Sequence, residues 1–214
     1  MTDLQNEKTY DSVFWTGIVK LTGYLVPLVN EAFGEHFSDS TRVTLKPMKQ
    51  VTHQQDGSAL RGETDALAEL SDPSGATKDY HFEVETWPSG HIAVRLAEYG
   101  AASAYASAER TQDGAVMRVP NSAVVVLRSA KQSRRGYKIT IEYPGGSVSY
   151  NAPVVRLMDY SLDDLLDRRL LLLLPFFPLR FADRLDEMER DDGWVAEFKG
   201  ALDKVEASTP FHKS

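Results

Sequence analysis

Apolar residues recur at helical spacing over 11–33, at Phe14, Ile18, Leu21, Leu25, Leu28 and Val29, with Gly34 just beyond as a C-terminal cap. The pattern predicts a first helix, kinked near Pro27. From residue 42 the period changes. The stretches "RVTLKPMKQVT" (42–52) and "ALRGETDALAEL" (59–70) alternate loosely and predict two strands about a turn at "HQQDGS". Turn formers in "SDPSGATKD" lead to a third strand, "YHFEVETW" (80–87), closed by Pro88 and Gly90. Ile92, Leu96, Tyr99 and Tyr105, separated by many alanines, predict a second helix over 91–109 that packs closely on a sheet. The unbroken apolar run "SAVVVLRS" is that of a central strand covered on both faces.

The order helix, three strands, helix, strand implies an α/β core with helices on both faces of a mixed sheet, its crossover to "AVVVL" parallel and right-handed. "YKITIEY" and "GGSVSY" add a hairpin, "PVVRLMDY" a further short strand. Ser161 with Asp164 forms a capping box opening a helix over "LDDLLDRRLLLLL". Leu185, Met188, Trp194, Phe198 and Leu202 then suggest a docked helical tail, broken around Gly193. Residues 1–160 are therefore expected to form the core and 161–214 a helical extension packed on it.

Composition narrows the picture. A chain of 214 residues, 42% hydrophobic, suits one globular domain with a real core, or one domain plus a helical tail. The run "LLLLLPFFPL" is too short to span a bilayer, so no membrane partner is expected. The absence of cysteine excludes disulfides, thiolate zinc sites and cysteine nucleophiles, and fits a reducing cytoplasm, as does a polar start without a secretory signal. A formal charge of −7 does not advertise a nucleic-acid binder as a whole. A local patch does. Between Gly114 and Ile141 there is no acidic residue, while Arg118, Arg128, Lys131, Arg134, Arg135 and Lys138 supply six positive charges, leaving −13 on the remainder. Such a segment reads as a phosphate-contacting loop or as a solvated hairpin tip.

The candidate chemistry lies in "EVE". A hairpin centred near Ser74 and Gly75 places Asp65 opposite the stretch from Glu83 to Glu85. Alternation then puts Thr64, Ala66, Ala68 and Leu70 on one face with Tyr80, Phe82 and Val84, and Glu63, Asp65, Glu83 and Glu85 on the other. Like charges across a sheet repel, so the cluster is either solvated or holds a divalent cation through hard carboxylate oxygens; spacing alone leaves both open. A glycosidase acid–base pair is a third option, with nothing to set its separation. His36, His53, His81, His91 and His212 show no metal-ligand spacing, and only His81 falls on the acidic face. Trp87 and Tyr99 read as core aromatics or as stacking surfaces for bases.

"RGETDALAEL", "YHFEVETW" and "VRLAEYGAASAY" together resemble the PD-(D/E)XK nuclease superfamily, in particular its bacterial branch of recombination-promoting nucleases and putative transposases. That branch has Arg-x-x-Asp on one strand, Glu-x-Gln on the next and Arg-x-x-x-Tyr on the following helix. Arg95 and Tyr99 fit, whereas Arg61 lies farther upstream of Asp65 than the pattern asks. "VVRLMDYSLDDLL" and "LLPFFPLR" also resemble segments found there, so the likeness spans about 11–181. The resemblance implies a restriction-endonuclease-like core and a metal-dependent DNA endonuclease linked to recombination or mobile elements. It implies Mg²⁺ or Mn²⁺ held by Asp65 and Glu83, with the Val84 carbonyl able to add a third oxygen, and a further acid at Glu31. Beside that resemblance, Arg95 on the helix after the carboxylate strand either pairs with the acidic face, forms a surface ion pair or contacts phosphate, and Arg128, Lys131, Arg134, Arg135 and Lys138 are the candidates for DNA contact. Enzymes of this type that cut both strands often work as dimers, and the apolar C-terminal segment could serve that interface. Glu85 departs from the pattern: Lys is usual there in the superfamily and Gln in this branch. A carboxylate can only bind metal or accept a proton, so Glu85 either recruits a second cation or marks a weakened enzyme that binds nucleic acid or protein without cutting.

Overall fold

The computed structural model describes residues 3–46, 49–53, 59–63, 66–128 and 134–184, with isolated helical positions at 193, 196, 199, 200 and 203. At 3–9, 11, 49–53, 59–63 and 181–184 only the backbone is described. Helices α1 (Asp3–Lys20) and α2 (Leu25–Phe33) precede strands β1 (Arg42–Leu45), β2 (Lys49–His53), β3 (Ala59–Glu63), β4 (Ala66–Ser71) and β5 (Thr77–Glu85). Helix α3 (Ile92–Ala106) leads to β6 (Glu109–Thr111), β7 (Gly114–Val116) and β8 (Asn121–Val126). Strands β9 (Gly136–Tyr143) and β10 (Gly146–Arg156) and helix α4 (Leu162–Asp167) follow, then a 3-10 helix, Leu174–Arg184.

Six strands form one mixed sheet in the order β1-β4-β5-β8-β10-β9. β1, β4 and β5 are antiparallel neighbours, whereas β5, β8 and β10 run parallel. α1, α2, α4 and the chain after α4 cover one face, through Phe14, Ile18, Leu28, Leu165 and Phe176 packed against Phe82, Val84 and Val125. α3 covers the other through Ile92 and Leu96 against Val124 and Val126. Gly100 lets α3 sit closely against the segment preceding β8: a Cβ there would come within 3.0 Å of Val119. Among the described residues no single helix is long and apolar enough to cross a membrane.

Several expected elements take a different form. The first helix is two helices bent by 106°, and the break falls at Leu21–Tyr24 rather than at Pro27. Pro27 is the third residue of α2, where its missing N–H has no intrahelical partner to lose, so proline is tolerated. Gly34 caps α2 as expected, in the left-handed conformation (φ 65°), its N–H bonded to the Asn30 carbonyl. The two long strands are described on either side of residues 47–48 and 64–65, which lie outside the described residues: Leu45 is opposite Ala68 and Lys49 opposite Glu63. "PVVRLMDY" is not a separate strand: its first half completes β10, which pairs with β9 and then with β8. The capping box at Ser161 and Asp164 is present, but α4 ends at Asp167, and Arg169 beyond it adopts φ 57°. The small β6–β7 hairpin was not anticipated; all six of its residues are exposed, so no buried alternation announces it.

Candidate active site

The β4–β5 ladder has the expected register, with Ala66 opposite Phe82 and Ala68 opposite Tyr80. Tyr80, Phe82 and Val84 therefore point into the larger core, where Phe33 packs on both Tyr80 and Phe82. His81, Glu83 and Glu85 take the α3 face. Asp65, sequence neighbour of Ala66, lies outside the described residues, as does Lys131.

Glu83 is fully buried and Glu85 is 8% exposed. A buried carboxylate without partners would cost several kcal/mol. Every oxygen here has one. His81 Nε2 lies 2.9 Å from Glu83 Oε1, and Arg95, reaching down from the first turns of α3, donates through Nη2 to Glu83 Oε2. Ser89 donates to Glu85 through its backbone N–H (2.9 Å) and its hydroxyl (2.7 Å), tying the turn after β5 to the end of the strand. Arg95 Nη1 also stands 3.8 Å from Glu85 Oε1. One guanidinium thus answers the repulsion between two buried carboxylates, and at 38% exposure it remains in reach of water.

Behind Glu83, the His81 Nδ1 lies 3.3 Å from the Ser122 hydroxyl, and the ring meets Tyr99 edge-on. Ser122, His81 and Glu83 follow one another as serine, histidine and acid do in hydrolases, but all three are at most 2% exposed, so no substrate can reach the hydroxyl. The chain of bonds orients Glu83.

Basic and aromatic groups surround the same edge, where parallel strands β5 and β8 end. The Arg128 guanidinium lies 4.7 Å from the Trp87 ring, and Arg134 lies 5.9 Å from the Tyr137 ring. Burial pushes the Tyr137 hydroxyl above its usual range, the Glu85 charge pushes it further, and Arg134 partly offsets both. Trp87 is 49% exposed and is not a core residue. Arg135 and Lys138 are exposed on the β9 side, and Arg118 pairs with Glu109 at 2.6 Å.

Glu31 does not join this cluster. It projects from α2, on the opposite face of the sheet, where it accepts from the Tyr160 hydroxyl (2.9 Å) and from Arg168 Nη1 (3.0 Å). Burial, then this bond, push the Tyr160 hydroxyl well above its ordinary range. An open groove of about 600 Å³ runs beside Glu31, but its carboxylates are paired within the protein, Glu31 with Arg168, Asp39 with Arg169 and Glu35 with Lys78.

The donor chemistry at β5 fits a hard cation in type, two carboxylates two positions apart, with a guanidinium supplying the positive charge. Among the described residues no group of three or more His, Asp or Glu could hold a metal. Sequence reasoning missed Ser89 and Ser122. Ser89 had a signal in its position four residues after Glu85 within a Pro-Gly turn, whereas Ser122 opens an apolar strand and had none. No protein-family model, curated protein or solved structure matches the chain.

Proposed function

We propose that this chain is a metal-dependent nuclease of the PD-(D/E)XK type, hydrolysing phosphodiester bonds of DNA at the end of β5. The observation that carries the reading is the pair Glu83 and Glu85, held side by side on a buried sheet face and bridged by Arg95, beside a rim carrying Arg128 and Arg134. Its support includes the order of elements, helices, antiparallel strands β1, β4 and β5, crossover helix α3 and parallel strand β8, which is the order the resemblance implies.

In this reading Glu83, Asp65 and the Val84 carbonyl would hold the Mg²⁺. Bound there, the cation would lower the pKa of water and offset charge on the phosphate. Arg95 yields its place on Glu83 and, being partly exposed, turns to the phosphodiester. Arg128 and Arg134 hold the flanking phosphates. Glu85, fixed by Ser89, keeps the turn 86–90 against the strand and does not supply the positive charge that lysine would. Incubation of plasmid with the protein and Mg²⁺ or Mn²⁺ tests this: the expected result is cleavage that Asp65→Asn abolishes. No cleavage, or cleavage unchanged in the variant, refutes it.

A second reading has its own support. Because both oxygens of Glu83 and both of Glu85 already accept bonds from the protein, the scaffold could bind nucleic acid without cutting. Salt-dependent DNA binding in the absence of Mn²⁺ binding is what that reading expects.

A further inference from the structure

We infer that Trp87 and Arg128 form a stacking platform for one unpaired nucleobase, so that the substrate is engaged as a single strand; the inference rests on the nucleic-acid reading above and adds the state of the strand. Trp87 follows Glu85 by two residues, at most about 7 Å of chain, a separation on the scale of one nucleotide. An indole left 49% exposed forgoes one of the largest apolar gains open to a side chain. The Arg128 guanidinium lies over the ring, 4.7 Å from its centroid, while about half of the residue stays open to water. A π face backed by a cation suits a base above it and a phosphate beside it.

The surroundings agree with that occupant. Arg134 stands by Tyr137 along the same edge, and the segment from Gly114 to Ile141 contains no acidic residue that would repel a phosphate. Glu85, two residues before Trp87, has its oxygens engaged by Ser89 and faces Arg95. In a duplex the faces of bases are covered by their neighbours; only an unpaired or splayed base can offer one to an indole.

Fluorescence anisotropy of a labelled oligothymidylate of about 15 nucleotides, matching the usual site size, tests the platform in EDTA so that nothing is cut. An oligouridylate and a duplex of equal length distinguish RNA from DNA and single from double strands. The wild-type chain is expected to prefer a single strand. Trp87→Ala should weaken that binding about 10-fold, and Trp87→Phe should recover most of the loss. The salt dependence should be unchanged in both variants, because the phosphate contacts remain. Quenching of intrinsic fluorescence by the oligothymidylate should shrink in Trp87→Phe. Equal affinity of wild type and Trp87→Ala, a wild type that binds no single strand, or a preference for duplex indifferent to Trp87 overturns the platform. Trp87-dependent binding with no cleavage in Mg²⁺ upholds the platform and removes the nuclease; duplex cleavage indifferent to Trp87 does the reverse.

Discussion

Replacing Arg95 with alanine leaves Glu83 fully buried, with His81 on one oxygen and Glu85 two residues away. Breaking a fully buried ion pair from one side costs about 3–5 kcal/mol, and losing an exposed pair costs at most about 1 kcal/mol. Here Glu83 is buried but Arg95 is 38% exposed, so the expected loss lies between, at about 2 kcal/mol. For a chain of this size that is a fall of about 4–8 °C in the thermal midpoint. Glu83→Gln should cost less, about 1 kcal/mol, because the orphaned guanidinium can turn to water whereas an orphaned Glu83 cannot. In the double variant most of the Arg95→Ala penalty should vanish, a coupling of about 1 kcal/mol or more. Thermal denaturation followed by circular dichroism in EDTA measures all four corners of the cycle. If Arg95→Ala matches wild type, or if Glu83→Gln proves the more damaging change, the guanidinium does not neutralise the carboxylates.

Two further outcomes follow from groups away from this face. Ser161→Ala removes the acceptor of the Asp164 N–H and should lower stability by about 1 kcal/mol, with Asp164→Ala adding little on top, since the two side chains cap one helix end reciprocally; urea denaturation of the two single variants and the double variant checks this. The Lys78 ammonium first, then the Tyr80 hydroxyl, holds Glu35 below its ordinary value of 4.5 against the opposing effect of burial. Its contribution is therefore present above pH 4.5 and lost as the pH falls through the lower folded-state value. Because Lys78 is largely exposed, the contribution is about 0.5 kcal/mol, and the stability gap between wild type and Glu35→Gln should close on acidification; a gap that persists or widens contradicts the pairing.

Much of the sheet was legible in the sequence because alternation and turn chemistry agree there. At the β4–β5 turn the Asp72 carboxylate accepts from the Ser74 and Ala76 N–H groups, backbone bonds join Asp72 to Gly75 and Ala76, and Gly75 takes the positive φ of 88°; together they set the register and so the face on which Glu83 and Glu85 lie. The crossover through α3 to the buried β8 followed from an apolar run too continuous for a half-exposed strand. Breaks were harder to read. Pro27 suggested a kink because proline interrupts helix interiors, yet the bend four residues earlier makes Pro27 a first-turn residue, where it costs nothing. α4 is shorter than the leucine run implied, since buried leucines after Arg169 serve irregular chain as well as helix. At the site, two carboxylates facing the same way were visible, and so was Arg95 on the following helix as a group that pairs with them or contacts phosphate; the support from Ser89 and Ser122 was not. Arg95 sits twelve residues from Glu83, and only the packing of α3 on the sheet brings them together.

On the proposed reading, the acidic face of β5 takes a divalent cation in place of Arg95, and calorimetric titration of the metal-free protein with Mn²⁺ measures this. Saturable binding is expected, lost in Glu83→Gln and strengthened in Arg95→Ala, where the competing guanidinium is gone. Absence of binding in wild type and Arg95→Ala alike, or binding indifferent to Glu83→Gln, would contradict it.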